Sequence, residues 1–205
     1  MIEVFAERLK QKILDGLPGI HAQQKMAPTG RHIKSFEEEE FPEAKKASVL
    51  ILFYPFGNEI FTVLMKRPDY EGVHSGQVSF PGGKIEDFDR DAAAAALREA
   101  EEELGIQKQT VQLIGKLSNV YIPPSNFFVF PFAGYTLQRP DFNIDVNEVV
   151  EIVETPVSLF SDQSIKGEQE IVRGEVKFKA PFYRIGEHKI WGATAIILSE
   201  LEMML

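Results

Sequence analysis

The stretch Arg98-Glu99-Ala100-Glu101-Glu102-Glu103-Leu104-Gly105-Ile106 crowds carboxylates onto one side of a helix. At 3.6 residues per turn, Glu99, Glu102 and Glu103 stand at i, i+3 and i+4 and share a face. Like charges at that spacing repel, so the arrangement costs stability unless cations sit among them. Arg98 precedes Glu102 by four residues and can pair with it, but one guanidinium cannot neutralise three carboxylates. A hard divalent ion, Mg²⁺ or Mn²⁺, prefers oxygen ligands of this kind. On its own, E-x-x-E-E is the pattern of a solvated acidic face. Its neighbours decide between the two.

Ala93, Ala96, Leu97, Ala100 and Leu104 recur at helical spacing on the other side, small enough for close packing on a sheet. Asp89 or Asp91 can cap the helix start, and Gly105 can supply the left-handed residue that ends it. Ahead of it, Gly82 and Gly83 follow Phe80-Pro81, where missing side chains permit close backbone approach. A glycine pair, a capped helix and R-E-x-x-E-E-x-G together are far rarer than any one of them.

This conjunction resembles the signature of the Nudix hydrolases, G-x5-E-x7-R-E-U-x-E-E-x-G-U with U aliphatic. Gly83 takes the first glycine, and Arg98, Glu99, Ala100, Glu102, Glu103, Gly105 and Ile106 take the later places. Asp89 stands for the first acidic residue, and eight residues separate it from Arg98 where the pattern has seven. That inserted residue resembles the coenzyme A pyrophosphatase branch. So does the upstream stretch His74-Ser75-Gly76-Gln77-Val78-Ser79-Phe80-Pro81-Gly82-Gly83, which follows Leu64-Met65-Lys66-Arg67. Many members of that branch carry Arg or Lys two places before the His; this chain has Gly72. The segments Tyr121–Phe127, Asn147–Val149 and Ile190–Ala195 are also similar to these enzymes.

The resemblance implies an α/β/α sandwich, an α+β fold with a mixed sheet between helices, and a metal-dependent hydrolase. Glu99, Glu102 and Glu103 would hold Mg²⁺ or Mn²⁺, Arg98 would orient Glu102, and backbone at Gly82 and Gly83 would approach the metal. Attack of water on a phosphoanhydride also needs a general base. In this family the role falls on a signature Glu or a later loop acid, which makes Glu102 the first candidate and Glu148 the second. Coenzyme A or its acyl thioesters would be cleaved to adenosine 3′,5′-bisphosphate and (acyl-)4′-phosphopantetheine. Another nucleoside diphosphate derivative, such as ADP-ribose or a dinucleotide, is the alternative. A catalytically silent nucleotide-binding module is a third possibility, though such a module has no need of a self-repelling cluster.

Further residues border this chemistry. Arg67 ends a strand near the glycine pair and suits either a phosphate or a salt bridge. His74 occupies the family's histidine place, where a structural hydrogen bond is the competing role. Ser125 and Asn126 follow Pro123-Pro124 in a rigid loop, placed to shape a substrate pocket or simply to make a turn. Trp191, the single tryptophan, reads as a packing anchor at a helix start.

Composition bounds the rest. The chain has 205 residues, 44% of them hydrophobic, and no cysteine, so it can bury one full core without disulfides or a thiol nucleophile. Its formal charge of −9 argues against broad nucleic-acid binding. With no apolar run long enough to span a membrane and no leader pattern, the expectation is a cytoplasmic enzyme acting on a small nucleotide-type molecule. Ile2 to Leu14 reads as a short amphipathic helix that packs on its own domain or on a partner in a homodimer. Residues 22–46 read as a surface loop, so that 1–46 would be an appendage to a hydrolase domain at 47–205. Strands are expected at Ala47–Tyr54, Glu59–Lys66, Thr110–Tyr121, Phe127–Tyr135 and Glu148–Glu154, an exposed hairpin at Glu168–Lys179, and a closing helix at Ala193–Met204.

Overall fold

A computed structural model describes residues 1–33, 37–69, 76–173 and 176–205. In chain order it runs α1 (Ile2–Asp15), α2 (Ile20–Gln23), β1 (Lys45–Phe56), β2 (Glu59–Lys66), β3 (Val78–Ser79), β4 (Gly82–Lys84) and α3 (Ala92–Leu104). Then follow β5 (Gln112–Lys116), β6 (Val120–Ile122), β7 (Phe127–Tyr135), β8 (Glu151–Pro156), β9 (Lys166–Arg173), β10 (Val176–Ile185), β11 (His188–Trp191) and α4 (Ala193–Met204).

The apolar run in β1 organises the molecule. Leu50, Leu52 and Tyr54 belong to one core and Ile51 and Phe53 to another, all of them fully buried. A strand that is apolar on both faces needs cover on both, and it has it. On one side α3 packs through Ala96, Ala100 and Leu104. On the other lie α1 through Ile2, Ala6 and Leu9, and α4 through Ile196, Ile197, Leu201 and Met204. Among the described residues eight strands form the central sheet, in the order β3-β2-β1-β7-β5, with β4 also on β1, β6 on β7 and β8 on β2. β1 runs parallel to β7 and antiparallel to β2 and β4, so the sheet is mixed. The expected α/β/α sandwich is what forms. No helix among the described residues is long and apolar enough to cross a membrane.

Several expectations change. The loop expected at 22–46 is not all surface: Ala22, Gln23, Met26, Ala27 and Ile33 are buried, and residues 20–26 pack against α4. Of the apolar stripe of α1, Phe5, Leu9 and Ile13 pack on the chain's own core, while Val4 is exposed. One long strand at 110–121 becomes two, β5 and β6, pairing with opposite halves of β7. Between them the chain detours so that Ser118 can reach Glu200. The 148–154 strand begins only at Glu151, and the 168–179 hairpin is part of a separate three-stranded antiparallel sheet, β11-β10-β9.

Glu200, fully buried on α4, explains that detour. Its carboxylate accepts hydrogen bonds from the Gly19 amide (2.8 Å), the Ser118 amide (2.9 Å) and the Ser118 hydroxyl (2.6 Å). Three stretches far apart in sequence are thereby tied to one side chain. Glu200→Ala strands two backbone donors in the interior and is expected to cost about 3 kcal/mol, measurable by urea unfolding.

Candidate active site

α3 begins where Asp91 accepts from the Ala94 amide at 2.8 Å, and ends at Gly105 in the left-handed conformation (φ 70°). Asp91 is therefore the cap, which leaves Asp89 free for another role. Both oxygens of Asp89 accept from Arg98, each at 2.9 Å, in a two-pronged pair. The same guanidinium donates to Glu99 (2.7 Å), Glu102 (2.8 Å) and the Lys84 carbonyl (3.0 Å). Arg98 holds the Asp89 carboxyl below the usual range, and its own pKa rises in response, first through Asp89. The predicted pair with Glu102 is present, within a larger clamp.

The three helix carboxylates are not equivalent. Glu102 is solvent-exposed, Glu99 is largely covered, and Glu103 is 1% exposed. Glu103 accepts from the Gly82 amide at 2.7 Å and from Arg67 at 3.0 Å, while Arg67 also donates to the Gly82 carbonyl at 2.8 Å. Desolvation pushes Glu103 up to about 8, against the opposing pull of Arg67 and the Gly82 amide. Burial likewise raises Glu99.

The glycine pair allows this contact. A Cβ on Gly83 would lie 2.5 Å from the Glu99 carboxylate, and one on Gly82 would lie 2.3 Å from the Ser48 carbonyl oxygen. Glu148 arrives from another direction. Asn143 and Asp145 donate backbone hydrogen bonds to the Leu104 and Glu103 carbonyls (2.9 and 3.0 Å), pinning the 143–148 loop to the end of α3. The exposed Glu148 then adds to the negative charge that raises Glu99 and Glu103. As placed, no three acidic or histidine side chains among the described residues converge tightly enough to share an ion. Arg98 and Arg67 occupy the oxygens instead.

A cavity of about 500 Å³ reaches this assembly. Arg67, Gly82 and Gly83 line it, as the sequence led us to expect. Ser125 and Asn126 do not. Asn126 adopts the left-handed conformation (φ 53°), accepts from the Tyr121 hydroxyl and donates to the Glu43 carbonyl, so its amide braces the fold. Pro123 and Pro124 face the cavity in their place. His74 and Gly72 lie outside the described residues. Trp191 is the last residue of β11, and it lines the cavity as well as packing. Sequence reasoning missed Arg31, Lys84 and Phe178 on the same walls. Arg31 sits in the segment read as loop, and nothing local to these positions signals a pocket.

The NUDIX domain model matches residues 44–171. The chain belongs to the Nudix family. It is 35% identical to "Nudix hydrolase 22, chloroplastic" of Arabidopsis thaliana over 80% of this chain and 57% of that protein. Identity is 34% to "Mitochondrial coenzyme A diphosphatase NUDT8" of Homo sapiens, over 62% of this chain and 54% of that protein. The chain thus spans little more than half the length of either relative. Among solved structures, a MutT/nudix family protein from Enterococcus faecalis superposes with a TM-score of 0.53 at 12% identity, covering 84% of this chain and 64% of that one. That likeness bears on the Nudix fold alone.

Two outcomes test the geometry. Gly82→Ala drives a methyl into backbone and should cost about 1–3 kcal/mol. Gly83→Ala meets only a carboxylate that can swing, so its melting temperature should fall less. Glu103 supplies a pH signature. The unfolded chain loses this proton near 4.5, the folded chain near 8. Between those values the unfolded state binds fewer protons, so in metal-free protein this group lowers stability as pH rises. Glu103→Gln should flatten that slope in denaturant titrations spanning pH 5 to 8.

Proposed function

We propose that this chain hydrolyses the diphosphate linkage of a nucleotide derivative, with coenzyme A and its acyl thioesters as the leading substrates. The observation that carries the proposal is the carboxylate set on α3, which meets the Gly82–Gly83 backbone that lines a cavity of about 500 Å³. The relative named as a coenzyme A diphosphatase supports the substrate class, as does the match of the upstream H-x-G-Q-x-x-F-P-G-G stretch.

The donor chemistry suits a divalent ion, which the three carboxylates would share by turning from their arginine partners. Glu103 is a buried carboxylate whose neighbours supply too little positive charge to keep its pKa normal, and all three candidate ligands offer hard oxygen. Glu99, Glu102 and Glu103 would hold Mg²⁺ or Mn²⁺, which would neutralise phosphate charge and orient water. The remaining roles belong to the chain itself. Gly83, lacking a side chain, lets the Glu99 carboxylate lie against the β4 backbone at the cavity wall. Arg67, which donates to Glu103 and lines the cavity, would orient that carboxylate and face the substrate. Glu102, exposed and aligned by Arg98, is the proposed base that takes the proton from attacking water; Glu148 is the next candidate.

A panel of coenzyme A, acetyl-coenzyme A, ADP-ribose, NADH and nucleoside triphosphates, each with Mg²⁺ or Mn²⁺, tests this with products identified by mass. Adenosine 3′,5′-bisphosphate from coenzyme A is the expected product. ADP-ribose cleavage without coenzyme A turnover would overturn the substrate, and no turnover of anything would favour a silent binding module. Glu102→Gln should lower kcat about 10²-fold or more at saturating metal. Near-normal turnover would pass the role to Glu148.

A further inference from the structure

The far wall of the cavity carries a cation that the diphosphate chemistry does not use. Arg31, in the segment after α2, lines the cavity and donates to the Tyr121 carbonyl on β6. Among the described residues no carboxylate pairs with it, in contrast to Arg67 and Arg98, and burial lowers its pKa. A desolvated guanidinium facing only a carbonyl is undercompensated.

Tethering does not account for the charge. The Gln24 side chain already pins this segment, donating to the Arg31 carbonyl and accepting from the Ile33 amide (2.9 and 2.8 Å), and the Thr29 amide donates to the Lys179 carbonyl. Neutral groups do that work elsewhere in the same region, as Asn126 does for Glu43.

Sheet register sets how far Arg31 stands from the glycine pair. Lys84, Ala47, Val129 and Val120 form one row across β4, β1, β7 and β6. Three strand spacings separate the ends of that row, about 14 Å. The stretch between is apolar, formed by Ala47, Val49, Val129 and Ile122. The cavity therefore has cations at both ends and an uncharged floor.

We propose that Arg31 binds a second anionic group of the substrate, a phosphomonoester or carboxylate held apart from the scissile diphosphate by a largely uncharged spacer. This rests on the diphosphate assignment above and adds the feature that distinguishes one such substrate from another. Arg31 lies before residues 44–171, and the wall formed by Phe178, Trp191 and Ala193 lies after them. Selectivity would be set by parts of the chain that the shared family match does not include.

Equilibrium binding without added metal separates the possibilities, using calorimetry on the wild type, Arg31→Gln and Arg31→Lys. Two ligand pairs differ by one anion: coenzyme A against 3′-dephospho-coenzyme A, and succinyl- against acetyl-coenzyme A. In at least one pair the wild type should favour the more anionic member by about tenfold or more. Arg31→Gln should erase that preference and Arg31→Lys should retain part of it. Preference in the first pair identifies a phosphomonoester, and in the second a carboxylate. No preference in either pair, equal weakening of both members by Arg31→Gln, or no binding would overturn the proposal. Because nothing is turned over, an Arg31-dependent preference in a protein that fails the hydrolysis panel would sink the hydrolase assignment alone.

Discussion

The contact between Glu103 and the Gly82 amide fixes the rest of the site. It joins the last turn of α3 to β4 and, through Arg67, to the end of β2. Helix, turn and strand are separated by 36 residues at most, yet they meet at a carboxylate with almost no access to water. A buried carboxyl group tolerates little error in placement, since each lost hydrogen-bond partner is felt at full desolvation cost. The glycine pair, the alanine face of α3 and the capped helix ends all serve that placement. Small residues let α3 approach the sheet, and glycine lets β4 approach α3.

Arg98 performs a different task from Arg67. Arg67 faces the cavity and Glu103; Arg98 collects Asp89, Glu99 and Glu102 on the outer side of the helix. The mutual repulsion inherent in the sequence is thus divided between two guanidinium groups. Asp89 becomes intelligible here. The acidic residue ahead of the helix belongs to the Arg98 clamp and not to the helix cap, and the extra residue between them is accommodated with its pairing to Arg98 intact.

Much of this was legible from the chain alone. The strand at 45–56, the hairpin that follows it, the α3 pattern and the 193–204 helix all follow from periodicity and capping chemistry, which are local. Glu99, Glu102, Glu103, Arg98 and Gly83 could be singled out as candidates because their spacing within one segment is itself the signal. The buried 20–33 segment and the Arg31, Phe178 and Trp191 walls were not. Their positions depend on which distant strands pair, and on Glu200 drawing Gly19 and Ser118 together, neither of which leaves a mark on nearby residues. Ser125 and Asn126 failed for a related reason: a polar loop residue looks the same whether it faces a ligand or braces a neighbour.

The split origin of the cavity wall has a consequence during synthesis. The metal-type carboxylates and the glycine pair are complete once residue 106 has emerged, but the wall opposite waits for residues 178–197. Domains generally fold as units once their residues have left the ribosome. A nascent chain holding the carboxylates therefore still lacks the opposite wall of the cavity, which is completed only with the last helix.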